Sequence, residues 1–115
     1  MAKEDWIDGY NGWVNWETWV VNLWMNNDQD LYEYYGKVAR NVMFDATEKI
    51  PKDKTSAQHK LSRTLHKQFG EWMPEIEGLY LDLLSGAMSE VNWHQIAKHL
   101  IERVEEEKEY AQQAN

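Results

Sequence analysis

Tryptophan is concentrated at one end of this chain. Five of the seven tryptophans lie within residues 6–24, and residues 12–19 read Gly-Trp-Val-Asn-Trp-Glu-Thr-Trp. Indole is a large apolar side chain whose N–H usually finds a hydrogen-bond partner when it is buried. This segment therefore either anchors an N-terminal helix in the core or presents an aromatic surface to a partner.

The spacing of the apolar residues predicts a helix over residues 16–26. Asn15 is a favoured N-cap residue, because its side chain can accept a hydrogen bond from an otherwise unpaired backbone N–H. Apolar residues then recur at i, i+3, i+4, i+7 and i+8, which places them on one helical face. They are Trp16, Trp19, Val20, Leu23 and Trp24. We expect this face to pack in the core.

Four further helices are predicted from the same periodicity, over residues 29–49, 56–70, 75–85 and 93–111. The helix over 56–70 has only a narrow apolar stripe, so we expect it to be peripheral and the other four to form the core. No segment alternates apolar and polar residues for long, as a half-buried strand would. The predicted fold class is all-α, a compact single domain of about five helices.

Some local features refine this prediction. A glycine inside a helix is costly, so Gly36 indicates a close helix crossing. The tripeptide Val-Asn-Trp occurs at residues 14–16 and again at 91–93, each time at the start of a predicted helix. We place the domain at residues 1–110, with 1–14 as an aromatic arm. Glutamates near a helix C-terminus oppose the helix dipole, so we expect residues 111–115 to be a disordered tail.

Composition and motifs argue against an enzyme. The chain has no cysteine, which excludes disulfides, thiolate metal sites and cysteine nucleophiles. It lacks a phosphate-binding glycine loop, a dinucleotide fingerprint, a nucleophile elbow and a zinc motif. His59 and His66 are seven residues apart, which is too far for both to bind one metal directly. We predict no catalytic residue, no metal and no cofactor.

The same sequence predicts a soluble cytoplasmic protein. No apolar run approaches the roughly 18 residues that a membrane span needs. The first five residues, Met-Ala-Lys-Glu-Asp, lack the charged and then apolar layout of a signal peptide. We therefore expect no contact with a membrane, and oligomeric state cannot be derived from the sequence.

Charge is divided unevenly along the chain. The net charge is −8, yet residues 49–67 carry six basic residues against one acid, and the remaining residues carry 19 acids against six bases. Lys60, Arg63 and Lys67 share one side of a helix. This face is the candidate for a nucleic-acid interface, or it is only a solvated basic face. Because the acidic body repels nucleic acid, we expect no direct DNA binding at physiological salt.

Two stretches carry a resemblance to a known family. One is the segment over residues 12–28, which begins Gly-Trp-Val-Asn-Trp-Glu-Thr-Trp. The other covers residues 83–100 and contains Leu-Leu-Ser-Gly-Ala-Met-Ser-Glu-Val-Asn-Trp. Together they resemble a family of small tryptophan-rich proteins carried by bacteriophages, plasmids and other mobile elements. The resemblance implies an accessory protein in the cytoplasm of a bacterial host, where it binds a host protein, as anti-restriction and anti-CRISPR proteins do.

We therefore predict a non-enzymatic protein that binds and inhibits a host protein, a defence factor that itself binds nucleic acid. Its contacts are predicted from an aromatic arm before the first helix and from acidic residues near the end of the last one. The predicted partner-binding residues are Trp6, Tyr10, Trp13, Glu102, Glu105, Glu106 and Glu109. The alternative is a small nucleic-acid-binding or regulatory protein that uses the basic helix over 56–70.

Overall fold

The computed structural model describes residues 9–44 and 53–114, and side chains as far as residue 111. These residues form five α-helices. They are α1 (Trp16–Asn27), α2 (Gln29–Met43), α3 (Lys54–Glu71), α4 (Leu79–Ser89) and α5 (Trp93–Ala114). No strand occurs within the described ranges, apart from one isolated bridge between Tyr10 and Trp13. The all-α single domain predicted from periodicity is confirmed.

Short polar side chains set the starts of the helices. The side chain of Asn15 accepts a 2.9 Å hydrogen bond from the backbone N–H of Thr18 at the start of α1. Asp28, Asp53 and Asn92 do the same for α2, α3 and α5, at 3.0, 3.1 and 3.0 Å. Each carboxylate or amide satisfies a donor that has no partner within its helix. Helix α4 follows Gly78, whose φ is +71°, and it has no side-chain cap.

The core lies where α3, α5 and α2 meet. Leu61 and Leu65 of α3 are fully buried, as are Ile96 and Ile101 of α5 and Tyr35 of α2. The prediction that the third helix is peripheral is therefore wrong. Its apolar stripe is narrow, but Ala57 and Ser62 beside the two leucines are also buried. These small side chains allow α3 to lie close to α5, so a narrow apolar stripe is enough to pack α3 into the core.

Helix α4 has the opposite outcome. Its apolar residues cover more than half of its circumference, and the sequence predicts it to be a core helix. Within the structure none of its residues is buried. Only Met88 packs against the core cluster. The width of an apolar helical face shows how much surface could be buried. It does not show whether another part of the same chain buries it.

Helix α1 is rotated relative to the prediction. Its buried residues are Thr18 and Met25, whereas Trp16 and Trp24 are exposed. The reason is a pair of hydrogen bonds at Thr18. Its hydroxyl donates to Asn15 Oδ1 at 2.6 Å and accepts from the backbone N–H of Asn92 at 2.9 Å. These bonds turn the threonine inward. Of the predicted apolar face, Trp19 packs against the core as expected, whereas Trp16, Leu23 and Trp24 are exposed.

Two corrections concern the ends of the chain. Trp13, assigned to an exposed arm, is buried, because residues 10–13 form a tight turn that directs it inward. At the other end α5 continues as far as Ala114, past residue 110 where the sequence predicts a disordered tail. Residues 1–8, including Trp6, lie outside the described ranges. No helix among the described residues has the length and hydropathy to cross a membrane.

Candidate interaction surfaces

The turn before α1 fixes the first tryptophan. Tyr10 and Trp13 exchange two backbone hydrogen bonds of 2.9 and 2.8 Å, and Asn11 and Gly12 between them have φ of +50° and +87°. Two successive positive φ values define the type I′ turn, which favours Asn-Gly. The Trp13 ring then lies 4.3 Å from the His99 ring of α5, centroid to centroid. Trp13 therefore acts in the structure as an anchor and not as an exposed contact.

Tyr10 is the other predicted arm residue that the structure describes. Tyr10 remains partly exposed and lies 5.2 Å from the ring of Trp19, so it is available at the surface. Gln95 of α5 supports the turn, because its side-chain oxygen accepts a 3.0 Å hydrogen bond from the Val14 N–H. The arm, as far as it is described, is a fixed part of the domain.

Apolar side chains on α1 are directed to solvent. Trp24 is 68% exposed, Trp16 is 49% exposed and Leu23 is also exposed. With the half-buried Val20 they occupy one side of the helix at the spacing i, i+4, i+7 and i+8. Exposed indoles are costly in water and are typical anchors of protein interfaces. We call these four residues the α1 outer face.

A second apolar surface lies on α4. Leu79, Tyr80 and Leu83 are 67%, 72% and 60% exposed, and they lie within one side of the helix. We call these three residues the α4 outer face. The end of α4 is tied to the start of α1, because Asn15 Nδ2 donates a 2.7 Å hydrogen bond to the Glu90 carbonyl. The two faces therefore belong to helices that are joined at one end.

Both outer faces lie in stretches of acidic sequence. Residues 9–36 contain four acids and no lysine or arginine, and residues 71–97 contain five acids and no lysine or arginine. Glu17 is the charged residue on α1, and Asp82 is the charged residue on α4. The charged side chain that each of these helices itself carries beside its apolar face is therefore negative.

The basic residues predicted on the third helix are on its solvent side. Lys60, Arg63 and Lys67 are exposed, and they line a shallow depression of about 390 Å³ together with His59 and Thr64. The structure thus brings together all three residues of the alternative prediction. None of the three forms an ion pair with another described residue.

The acidic end of α5 is partly neutralised within the protein. Glu105 pairs with Lys54 at 2.8 Å, and Glu107 lies 3.3 Å from Arg40 and 3.6 Å from Arg103. The hydrogen bond to Glu105, followed by its charge, raises the pKa of Lys54. A protein that imitates the charge pattern of DNA needs a continuous acidic surface. These ion pairs interrupt the acidic surface of α5. The remaining predicted acids are the half-buried Glu102 and the exposed Glu106 and Glu109.

The described side chains do not assemble a recognisable catalytic or metal site. No group of three histidine, aspartate or glutamate residues among them could hold a metal ion. The hydroxyl of Ser62 donates to the His59 carbonyl within its own helix at 2.7 Å. The histidines serve as packing partners: His59 lies 5.5 Å from His94, and His66 is stacked on Trp93 at 5.8 Å.

Fold and surfaces together define a class: a small all-α domain whose candidate sites are exposed faces. Within that class, the chain belongs to a family of unknown function (DUF7249), whose profile matches residues 7–113. Comparison with curated proteins and with solved structures gave no match. Family membership covers the tight turn, all five helices and both outer faces, and it carries no activity to assign.

Proposed function

We propose that the protein is a non-enzymatic binding protein that docks onto a partner protein through the α1 and α4 outer faces. The observation that carries this proposal is the outward direction of their large apolar side chains, among them Trp24 and Tyr80. A stable domain of this size rarely leaves contiguous apolar surface exposed without a use for it. Tryptophan and tyrosine are also the residues most enriched among interface hot spots.

The charge around the two faces defines the chemistry of the partner. Each face is apolar at its centre and acidic at its border, with Glu17 beside the first and Asp82 beside the second. Pairing two copies through these faces would oppose like charges, which costs affinity. The complementary surface is an apolar groove bordered by lysine and arginine, which receives a helix as grooves of this kind do.

The partner we propose is a host protein of the class that binds nucleic acid, because such proteins carry basic grooves. This assignment rests on the resemblance to proteins of bacteriophages and plasmids. In that setting the protein would act as an inhibitor of a defence factor, of the anti-restriction or anti-CRISPR class. Occupation of the basic groove would exclude the nucleic acid, so inhibition would need no chemistry.

The test compares three forms of the tagged protein in a pull-down from bacterial lysate with quantitative mass spectrometry. They are the wild type, the double variant Trp24→Ala with Leu83→Ala, and the control Tyr110→Ala. Tyr110 is 76% exposed near the end of α5, so it matches the variant in exposed aromatic area lost. We expect a basic nucleic-acid-binding protein to be retained by wild type and control. The double variant should lose it about tenfold or more.

Two results would contradict the proposal. One is recovery of the same proteins with all three forms, which would show that the outer faces contribute nothing. The other is a wild-type dimer in analytical ultracentrifugation that the double variant dissociates, which would make the faces a contact between copies. Circular dichroism of the double variant checks that the fold is retained, since both side chains are exposed in the structure.

A further inference from the structure

Arg63, on the basic side of α3, differs from the two other arginines of the chain. Arg40 and Arg103 both reach Glu107, and Lys54 reaches Glu105. Arg63 has no ion pair in the described part of the chain, although acids outnumber bases by 20 to 12 in the sequence. Lys60 and Lys67 lie one turn to either side of it. Arg63 is therefore the arginine for which the described part of the chain supplies no counter-charge.

The basic side of α3 also contains a depression that could hold a ligand. Its depression of about 390 Å³ is lined by His59, Lys60, Arg63, Thr64 and Lys67, with no acidic residue among these side chains. A second depression of about 470 Å³ lies on the other side of Arg63, towards residues 90–94. Glu90 lines that second depression. The first depression is therefore the one in which positive charge is unopposed.

Neighbouring aromatic rings hold two of the imidazoles in place. His59 lies 5.5 Å from the ring of His94 on α5, and His66 is stacked on Trp93 with 14° between the ring planes. Both contacts join α3 to α5. The packing of these two helices therefore fixes the positions of the His59 and His66 rings beside the depressions. Preorganised donors lose less conformational entropy when a ligand binds.

We propose that the depression lined by Lys60, Arg63 and Lys67 binds the phosphate group of a small, nucleotide-sized ligand. The guanidinium of Arg63 offers a planar fork that matches two phosphate oxygens, and each lysine adds a mobile ammonium. The volume lies within the roughly 300–1,000 Å³ range of small-molecule sites. This site is separate from the α1 and α4 outer faces and does not depend on the docking function.

Charge elsewhere on the molecule favours a small ligand over nucleic acid. Outside residues 49–67 the chain carries 19 acids against six bases. A phosphate that fits within the depression meets no acidic side chain among the residues that line it. A long duplex must also pass the acidic surface, including Glu90 beside Arg63, within a Debye length of roughly 8 Å at physiological salt.

The test is titration of the full chain with inorganic pyrophosphate, followed by calorimetry and by backbone amide NMR shifts. The variant is Arg63→Gln, which removes the charge and leaves a shorter, uncharged polar side chain. Lys98→Gln is the control, because Lys98 is an exposed lysine of α5 that does not line the depression. We expect saturable binding with shifts centred on residues 59–67. Affinity should fall about tenfold in Arg63→Gln and stay unchanged in Lys98→Gln.

A duplex oligonucleotide forms the second arm of the experiment. We expect it to bind more weakly than pyrophosphate at about 0.15 M salt. Tighter binding of the duplex, with a salt slope near −0.9 per neutralised phosphate, would overturn the small-ligand assignment in favour of a nucleic-acid backbone. Absence of saturable pyrophosphate binding, or equal loss in both variants, would overturn the site itself.

Discussion

The hydroxyl of Thr18 on α1 accepts a 2.9 Å hydrogen bond from the backbone N–H of Asn92 at the start of α5. The same hydroxyl donates to Asn15, the N-cap of its own helix. The two Val-Asn-Trp segments of the sequence are therefore joined at their asparagines by one fully buried threonine. This bridge holds α1 in the orientation that buries Thr18 and exposes Trp16 and Trp24.

Replacement of Thr18 by valine tests the bridge. The side chain keeps its shape, but the Asn92 N–H loses its acceptor and Asn15 Oδ1 loses one of its two donors. We expect a loss of about 1–3 kcal/mol in the free energy of unfolding, measured by urea denaturation, because a buried donor is left unsatisfied. Thr64→Val is the matched control: its hydroxyl bonds only to the Lys60 carbonyl of its own helix. A similar cost for both variants would argue against the bridge.

Truncation of two tryptophans should separate anchor from surface. Trp13→Ala removes a buried indole that packs on His99, and we expect a loss of about 3–5 kcal/mol. Trp24→Ala removes an exposed indole, and we expect a change within about 0.5 kcal/mol. Thermal or urea unfolding of both variants measures the difference. If Trp24→Ala proved as costly as Trp13→Ala, the orientation of α1 described above would be wrong.

Alkaline pH should weaken the fold through Tyr35. Burial, and to a smaller extent Tyr34, raises the pKa of the Tyr35 phenol above its ordinary value of 10.0. The unfolded chain releases this proton near pH 10 while the folded chain retains it. The contribution to stability is therefore complete below that pH and is lost as the pH rises further.

Tyr35→Phe provides the measurement. At about pH 7 we expect the variant to be less stable by about 1 kcal/mol, because the 2.9 Å hydrogen bond to Gln68 is lost. At about pH 11 the wild type has also lost the contribution of the buried phenol, so the difference between the two proteins should shrink. Urea unfolding at both pH values gives this difference. A constant or growing difference would contradict the linkage.

Helix α4 should open more readily than the helices of the core. It has no buried residue and no side-chain cap, and local stability follows buried apolar contact. Amide hydrogen exchange should therefore show weaker protection over residues 79–89 than over the buried turns of α3 and α5. Bound partner protein should raise that protection. Equal protection of α4 and α3 in the free protein would show that α4 is held by contacts the structure does not contain.

Helical periodicity predicted the five helices, and Asn15 was correctly predicted as the N-cap of the first. Periodicity did not predict which face is covered. On α1 the tryptophan stripe is the stronger apolar pattern, yet the hydrogen bonds of a single polar residue, Thr18, decide the rotation. Such a pairing joins residues 74 positions apart, and nothing in the local sequence indicates it. The third helix was predicted to be peripheral and the fourth to be in the core, and the structure shows the reverse. The reason is related: the width of an apolar stripe does not show which helix packs against it.

For the candidate sites, the sequence supplied one signal that the prediction missed. Asn11-Gly12 is the preferred pair for a type I′ turn, and this turn directs Trp13 inward instead of leaving it on an arm. The three basic residues of α3 were predicted as a group from their spacing, and the structure places them around one depression. The α4 outer face could not be predicted, because its residues are also those of an ordinary core helix.

Gly36, which the sequence predicted to lie at a close helix crossing, is buried against the side chain of Arg103 on α5. A Cβ added there would lie 2.5 Å from Nη2 of Arg103, the guanidinium that donates a 3.1 Å hydrogen bond to the Tyr32 carbonyl. A side chain at position 36 would therefore displace this guanidinium from the Tyr32 carbonyl. In a relative that acquires a side chain at 36, the contact between the last helix and Tyr32 should be lost, whether the arginine moves or is replaced.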